Sequence, residues 1–441
     1  MNSHIHPQIL TPLPGPIGQG IVDSDHAHTS TSYIKVYPLV VERGEGAWIT
    51  DVDGNRFLDF MAGIATASTG HSHPKVVQAI KDQADKFLHI CGTDFYYDSM
   101  AKLAERLTNL IPGMGSKRVF LSNSGSECVD GALKLVREHT RRPYVIAFKG
   151  AFHGRSLAAI SMNSSKVKYR KNFGPLLGGI FHVSYPPSAP HMTEHNNWER
   201  SIDEIHDIFK RFASPEEIGG IFIEPILGEG GYIIPPPEFL AELRSICDQH
   251  GIMLVFDEVQ SGAGRTGSMY AADHFDIAPD VLLSAKGLAS GMPLGAIIAR
   301  EDKMTWPRAS HGSTYGGNPV CCAAALATLD IIEPMLPQIT ATGEYLMKGL
   351  RKLAESHPSL ADVRGIGLMI GAEFLKPGTK EPASALVEEL EQLAFQKGLL
   401  LLSCGDSTIR FAPPLVIREH ECDVALGILD ECLTELEAKH F

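Results

Sequence analysis

The segment DVLLSAKG (280–287) decides the fold class that we predict from the sequence. After Asp280 it is a short run of apolar and small residues of strand length, and Lys286 follows that run. Earlier runs of the same kind are each followed by a longer segment with helical periodicity. This alternation is typical of an α/β protein with a central, mostly parallel sheet flanked by helices. The earlier runs are RVFL (118–121), YVIAF (144–148), GIFHV (179–183), GIFIEP (220–225) and GIMLVFDE (251–258).

Both ends of the chain are predicted to build a smaller α+β domain. Short apolar runs with turn signals between them occupy residues 36–60, and further short runs occupy residues 399–415. We therefore expect a loop-like N-terminal arm and part of the small domain in residues 1–70. A large domain should occupy residues 71–330, and residues 331–441 should supply the rest of the small domain.

The composition argues against several classes of function. The 441 residues carry a net charge of −13, and an acidic surface repels phosphate backbones and anionic lipids. No apolar stretch approaches the ~20 residues of a membrane span. The first residues lack the charged start and apolar run of a secretion signal. We expect a cytoplasmic protein with no nucleic-acid or membrane partner.

The cysteines and histidines do not predict a metal site. Eight cysteines are scattered along the chain without a C-x-x-C pair, which suits reduced thiols. The pairs His4/His6 and His26/His28 lie in the predicted arm, and no carboxylate or cysteine set completes a site beside them. We therefore expect no bound metal.

Polar residues follow the predicted strands at the point where each strand ends. In open α/β sheets, ligands bind outside the carboxyl ends of the strands, so these loops should converge on one crevice. The loops carry SNSGSE (122–127), KGAFHGR (149–155), Glu224, Asp257 and Lys286.

The segment SNSGSE has the features of a phosphate seat. Ser124 and Glu127 fit a capping box at the start of a helix. The backbone amides of Gly125 and Ser126 at that helix N-terminus, with the serine hydroxyl, could bind an anion. An ordinary capped helix has the same pattern, so this motif alone leaves both interpretations open.

Asp257 and Lys286 extend the pattern to one ligand. A carboxylate in apolar surroundings needs a cationic partner, and a desolvated lysine becomes a nucleophile towards carbonyls. Taken singly, Asp257 could also be a solvated strand end, and a snorkelling side chain is the default interpretation of an isolated lysine. Together with the phosphate seat and the Phe152-His153 pair, they fit pyridoxal 5′-phosphate, which has an aldehyde, a pyridinium nitrogen, a phosphate and a ring face. The large domain would then be the cofactor-binding domain.

The segment QSGAGRTG (260–267) matches G-x-G-x-x-G in its spacing only. A dinucleotide fingerprint opens the first strand–helix turn of a sheet, whereas this one comes late and no helical periodicity follows it. We interpret it as a flexible loop, and a nicotinamide dehydrogenase is the weakest alternative.

The chain resembles the class III (ω-amino-acid) aminotransferases of fold type I, of the 4-aminobutyrate and ornithine type. The resemblance covers roughly residues 40–415, with the motifs in the family's order. It implies a homodimer with the active site at the subunit interface. The matching motifs are SNSGSE, AFHGR, IEPILGEGG, LVFDEVQSGAGRTG, SAKG, GSTYGGNP and IRFAPPL.

The resemblance implies a role for each cofactor residue. Lys286 should form the Schiff base with the cofactor, and Asp257 should pair with the pyridine nitrogen. Phe152, followed by His153, should stack on the ring. The remaining cofactor residues are Gly125 and Ser126 at the phosphate, Val259 below the ring, Gln260 near the ring hydroxyl, and Thr314, which should reach the phosphate of the neighbouring subunit.

Substrate residues follow from the same resemblance. Arg410 should bind a substrate carboxylate, and Glu229 should mask it when an ω-amine enters. Arg155 should bind a second carboxylate, with Ile64 nearby, and Glu224 should lie close to the substrate amine. Without the resemblance, Arg410 is equally well explained as a surface strand arginine, and the sequence alone favours a simple turn hydroxyl for Thr314.

The expected reaction is transfer of an amino group from an ω-amino acid or a related amino acid to 2-oxoglutarate, through a 1,3-proton shift at Lys286. An amino-acid racemase or epimerase on the same scaffold is the alternative. A binding protein that kept the fold without catalysis is a second alternative, against which the intact lysine, aspartate and phosphate seat argue.

Overall fold

A computed structural model describes residues 6–111, 113–187 and 198–441. The first five residues of the predicted arm, His4 among them, lie outside these ranges. Within them the fold is α/β, as predicted, and it combines a large central sheet with a smaller α+β part built from both chain ends.

The central sheet contains every strand run that the sequence predicts for the large domain. Its strand order is β4-β10-β9-β8-β7-β5-β6, and β5 to β9 are mutually parallel neighbours. The seven strands are β4 (Lys117–Ser122), β5 (Tyr144–Phe148), β6 (Ile180–Val183), β7 (Ile218–Ile223), β8 (Met253–Asp257), β9 (Val281–Ser284) and β10 (Gly295–Arg300).

Strand β10 was not predicted, and it is antiparallel to both of its neighbours. Ile297 lies opposite Leu283 of β9 and Phe120 of β4. The chain returns from β9 to β10 through the short turn that carries Lys286, and so short a connection permits only an antiparallel pair. The return loop therefore holds the lysine at the end of the sheet.

Helices cover both faces of this sheet. Alternate residues of β5 point to opposite faces: Val145 packs with the α5 side, and Ile146 packs with α7 and α8. The helices are α1 (Pro16–His28), α2 (Ala62–Ala65, a single turn with left-handed backbone), α3 (Pro74–Ala84), α4 (Asp98–Asn109), α5 (Gly125–Thr140), α6 (Leu157–Met162), α7 (Trp198–Arg211), α8 (Pro237–His250), α9 (Ala272–Phe275), α10 (Pro319–Ile332), α11 (Leu336–Ser356), α12 (Ser384–Gln396) and α13 (Glu419–His440).

The small domain joins the two ends of the chain directly. In one of its sheets, Leu399 and Leu400 pair in parallel with Leu58 and Asp59 from the N-terminal part. The other sheet has the order β11-β12-β15-β14. The strands of both sheets are β1 (Val41–Glu45), β2 (Trp48–Asp51), β3 (Arg56–Asp59), β11 (Leu360–Ile366), β12 (Met369–Phe374), β13 (Leu399–Leu400), β14 (Leu402–Cys404) and β15 (Thr408–Phe411). The residue limits of the domains remain predictions.

The N-terminal arm contains helix α1, where a loop was expected. Gly15 at its N-cap provides no side-chain cap, although Pro16 at the first helical position is a local signal for a helix start. The carboxylate of Asp53 instead accepts hydrogen bonds from the amides of Ile17 and Gly18, at 2.8 and 2.7 Å. A residue 35 positions away thus caps this helix, which sequence reasoning missed.

The segment with the three glycines is packed, not the flexible loop predicted. Arg265 is 2% exposed, and its Nη1 donates to the carbonyls of Leu368 and Pro413, at 3.2 and 2.6 Å. An added Cβ on Gly264 would meet Ile332 at 2.3 Å, so the glycine permits close packing. The segment joins the large domain to the small one.

One helical stretch in the described part of the chain, Pro319–Ser356, could cross a membrane by length and composition alone. Half of the most apolar segment of this stretch is buried inside the protein. It also consists of two helices, α10 and α11, separated by a short 3₁₀ turn at Glu333–Met335. Its apolar residues are explained by packing in the core.

Two helical glycines provide a test of this packing. An added Cβ on Gly343 of α11 would lie 2.0 Å from the carbonyl oxygen of Gly367, whereas one on Gly427 of α13 would have no atom within 4 Å. We expect Gly343→Ala to lower the free energy of unfolding by about 1–3 kcal/mol, because helix and loop must separate. The control Gly427→Ala should raise it by about 0.5–1 kcal/mol. Urea denaturation checks both, and an unchanged midpoint for Gly343→Ala would contradict the packing described.

Candidate active site

The N-terminus of α5 lies at the carboxyl edge of the central sheet. Ser124 caps the helix by accepting a hydrogen bond from the amide of Glu127 at 3.3 Å, as predicted. Glu127 returns its carboxylate to the amide of Asn123, one residue before the cap, at 3.0 Å. The amides of Gly125 and Ser126 are the first two of the helix, and they have no acceptor within it.

Gly125 and Ser126 are held by their neighbours. An added Cβ on Gly125 would lie 2.7 Å from Val259, so only glycine allows this close approach. The Ser126 hydroxyl accepts hydrogen bonds from the amides of Arg155 and Ser156, at 3.1 and 2.9 Å. From the sequence we expected this hydroxyl to contact a bound phosphate. In the structure it holds the loop that follows β5.

Asp257 forms a buried pair with His153. The His153 Nδ1 and Asp257 Oδ2 atoms are 2.7 Å apart, and the side chains are 0% and 4% exposed. Burial by itself would lower the histidine pKa, but the hydrogen bond and charge of Asp257 raise it above its usual value. The other oxygen of Asp257 accepts from the amide of Val259 at 3.1 Å. Since a carboxylate has about four acceptor positions, Asp257 can accept another donor.

Glu224 is a second buried acid beside this pair. Its oxygens accept hydrogen bonds from the amides of Phe152 and Gly228, at 2.8 and 2.9 Å. Burial raises the pKa of Glu224 to about 7, and the charge of Asp257 acts in the same direction. Its carboxyl group can therefore hold or release a proton near neutral pH.

Lys286 lies in the turn after β9, within reach of the charges of both acids. Burial and the charge of Arg410 lower its pKa to about 8, against the opposing charges of Glu224 and Asp257. Its φ of 43° is in the left-handed region, which is strained for a lysine. A substantial fraction of this amine is therefore neutral and nucleophilic near pH 8.

Hydrogen bonds from the N-terminal part hold this strained turn. The hydroxyl of Ser68 donates to the carbonyl of Gly287 at 2.6 Å, and the amide of Thr69 donates to the hydroxyl of Ser290 at 3.0 Å. These residues were missed by sequence reasoning. No signal in the sequence brings together residues more than 200 positions apart.

Arg410 and Glu229 form an ion pair that is almost fully buried. Arg410 Nη1 and Glu229 Oε2 are 3.1 Å apart, and the side chains are 8% and 10% exposed. The other oxygen of Glu229 accepts a hydrogen bond from the hydroxyl of Tyr169 at 2.8 Å and lies 3.4 Å from Lys166 Nζ. Sequence reasoning found the pair but missed Tyr169 and Lys166, which lie at a short 3₁₀ turn without a motif.

Arg155 and Phe152 both contact the ring of Tyr169. The guanidinium carbon of Arg155 lies 4.1 Å from the centroid of the Tyr169 ring and 5.6 Å from that of Phe152. The two rings meet edge to face, with centroids 5.3 Å apart. Arg155 is exposed, so it can meet a ligand from solvent.

Ile64 projects from the left-handed turn α2 and is 44% exposed. The φ angles of Ala62, Ile64 and Ala65 are 45°, 66° and 58°, each of which costs about 1–2 kcal/mol outside glycine. Asp59 holds the turn by accepting from the amide of Ala62 at 2.9 Å.

The remaining predicted residues fall into two places. Gln260 is 8% exposed and accepts a hydrogen bond from the hydroxyl of Tyr232 at 2.9 Å. Thr314 is exposed and follows Ser313, whose hydroxyl accepts from Asn123 at 3.0 Å. In the single chain, Thr314 therefore faces solvent and is not part of the buried site.

The chemistry of these groups fits pyridoxal 5′-phosphate. Lys286 has the low pKa that addition to an aldehyde requires, and Asp257 is a buried acid with acceptor capacity for a ring N–H. The amides of Gly125 and Ser126, the first two of α5, have no acceptor within the helix and can donate to a phosphate. Among the described residues, no group of His, Cys, Asp or Glu side chains is arranged to hold a metal ion.

The lowered pKa of Lys286 has a measurable consequence. In protein freed of any small molecule on this lysine, its reaction with acetic anhydride should rise with pH to a plateau, with a midpoint near 8. A lysine in a model peptide, the control, titrates near ~10.4. Mass spectrometry of the modified peptide gives the rate at each pH. A midpoint above 10 at Lys286 would contradict the electrostatics described.

Comparisons with known proteins identify the family of this chain. The class III aminotransferase family model matches residues 29–433. The 5-aminovalerate aminotransferase of Pseudomonas aeruginosa is 40% identical over 408 residues, which are 91% of this chain and 95% of that protein. The alanine/serine racemase of Pyrococcus horikoshii is 37% identical over 443 residues, covering 98% of this chain and 93% of its own.

A solved structure of an amine transaminase has the same fold as this chain. The amine transaminase of an uncultivated Pseudomonas species, solved with pyridoxal phosphate bound, is 30% identical, with a TM-score of 0.85 over 93% of this chain and 98% of that one. The chain therefore belongs to the class III aminotransferases and is a pyridoxal-phosphate-dependent enzyme of fold type I.

Proposed function

We propose that this enzyme transfers the amino group of an ω-amino acid, of the 4-aminobutyrate or ornithine type, to 2-oxoglutarate. The observation that carries the proposal is the buried ion pair of Arg410 and Glu229. While it is closed, Glu229 cancels the charge that would attract a carboxylate next to the reacting carbon. An ω-amine has no carboxylate at that carbon, whereas 2-oxoglutarate does, so the pair must close for one substrate and open for the other.

Arg155 provides the matching distal contact. It is exposed, and its guanidinium can bind a carboxylate through two parallel hydrogen bonds. The distal carboxylate of an ω-amino acid and the far carboxylate of 2-oxoglutarate are the two groups that it would bind, with Ile64 bordering the substrate chain. The 5-aminovalerate aminotransferase relative, which is named for such a donor, supports this assignment.

Pyridoxal phosphate, when bound, supplies an aldehyde for the amino group and a ring that absorbs the electron pair left by proton removal. Lys286 is proposed to bond to that aldehyde and, once displaced by substrate, to carry the proton between the two carbons. Asp257 would keep the ring nitrogen protonated, and His153 orients Asp257. Glu224, with its raised pKa, would accept or donate a proton at the substrate amine.

The remaining assignments concern binding. The amides of Gly125 and Ser126 would hold the phosphate, Phe152 and Val259 would enclose the ring, and Gln260 would face the ring hydroxyl. Thr314 would complete the phosphate site of a second subunit, because it is exposed in the single chain. We therefore propose a homodimer. The free cysteines of the described residues, nearly all buried, are compatible with the cytoplasm.

A racemase or epimerase is the second candidate, and the alanine/serine racemase relative favours it. Such an enzyme returns the proton to the carbon from which it came, and it needs no oxo acid. The holoenzyme is incubated with ω-amino acids and with single enantiomers of α-amino acids, each with and without 2-oxoglutarate. We expect glutamate to form from an ω-amino donor only when 2-oxoglutarate is present. Loss of optical activity without any oxo acid would establish the racemase instead.

Asp257 tests the proposed electron sink. Asp257→Ala should lower turnover by at least about 10³-fold, because the pyridine nitrogen loses its partner charge. Asp302→Ala, which removes an exposed acid at the far end of β10, is the control and should keep full activity. Steady-state turnover and circular dichroism are measured together. Near-full turnover of a folded Asp257→Ala enzyme would refute the assignment.

A further inference from the structure

We propose that Lys166 and Tyr169 form a holding site for Glu229 in the state in which Arg410 binds the incoming oxo acid. Both would then be positioning residues that determine how well the enzyme accepts its second substrate. The inference rests on the proposed function, since it concerns the opening of the Arg410–Glu229 pair.

The geometry divides the contacts of Glu229 between its two oxygens. Oε2 faces Arg410 Nη1 at 3.1 Å. Oε1 accepts the Tyr169 hydroxyl at 2.8 Å and lies 3.4 Å from Lys166 Nζ. If Arg410 moves away, Oε2 loses its partner. Oε1 keeps its contacts with Tyr169 and Lys166.

The charge balance around Glu229 explains the role that we propose for Lys166. Glu229 is 8% exposed, and an unpaired carboxylate at that depth is strongly disfavoured. When an oxo acid brings its own carboxylate to Arg410, that pair is neutral and Glu229 has lost its cation. Lys166, whose side chain is 29% exposed, already lies beside Glu229 and can replace the lost cation without entering from solvent.

Tyr169 connects this event to the distal carboxylate site. Burial and the charge of Glu229 raise its pKa to about 12, so the hydroxyl remains a donor at neutral pH. Its ring meanwhile lies under the guanidinium of Arg155. The short 3₁₀ turn Val167–Tyr169 thus carries a side chain that contacts both parts of the proposed substrate site.

The two half-reactions of the holoenzyme separate this role from a structural one. Lys166→Met and Tyr169→Phe are followed by stopped-flow absorbance, first with 5-aminovalerate and then, from the aminated enzyme, with 2-oxoglutarate. We expect the second-order rate constant with 2-oxoglutarate to fall about 10-fold or more, as loss of a charged hydrogen bond predicts. The constant with 5-aminovalerate should change less than about 3-fold, because Arg410 still neutralises Glu229 in that state.

Two further variants complete the design. Lys166→Arg keeps the charge and should restore most of the 2-oxoglutarate rate, whereas Lys171→Met removes an exposed lysine of the same segment and should change neither constant. Equal losses in both half-reactions, or none, would overturn the inference while leaving the proposed function intact. A wild-type enzyme that does not transfer amino groups to 2-oxoglutarate would refute the proposed function, and the inference with it.

Discussion

Buried charge that must remain paired is the constraint on which this site depends. Asp257, Glu229 and Arg410 are each 8% exposed or less, and none of them can be left without a partner at that depth. His153 is the partner of Asp257, and Arg410 is the partner of Glu229. We therefore propose that binding and catalysis exchange the partners of these buried charges. The electrostatic environment that lowers the pKa of Lys286 arises from the same burial.

The carboxyl edge of the sheet was predictable, because every strand that leads to it is a continuous apolar run followed by polar residues. The antiparallel strand β10 was not, since only the eight small or apolar residues GLASGMPL separate Lys286 from its run GAIIAR, which therefore reads as the tail of the same segment. The helix α1 depends on a distant cap, and the packed glycine segment depends on partners in the small domain. These features are set by tertiary contacts that local sequence patterns do not record.

Neighbouring residues at one strand end show the same limit within the site. Asp257 and Glu258 look alike in the sequence, yet Glu258 points away and accepts the amides of Ala271 and Ala272, at 2.5 and 2.9 Å. It holds the loop that follows, while Asp257 pairs with His153. Likewise, Tyr169 belongs to no motif, although it contacts Arg155 and Glu229 together. Motifs identify the residues that react more readily than the residues that position them.

Aminotransferases and racemases of this family need the same cofactor machinery, so Lys286 and Asp257 cannot distinguish the two reactions. The arginine pair is a better criterion. A racemase handles substrate and product with the same carboxylate in the same place, and a permanently available arginine serves it best. An enzyme that alternates between an ω-amine and a 2-oxo acid must hide that charge in one half of its cycle. A masked Arg410, with Lys166 positioned to take over its partner, therefore favours transfer over racemisation.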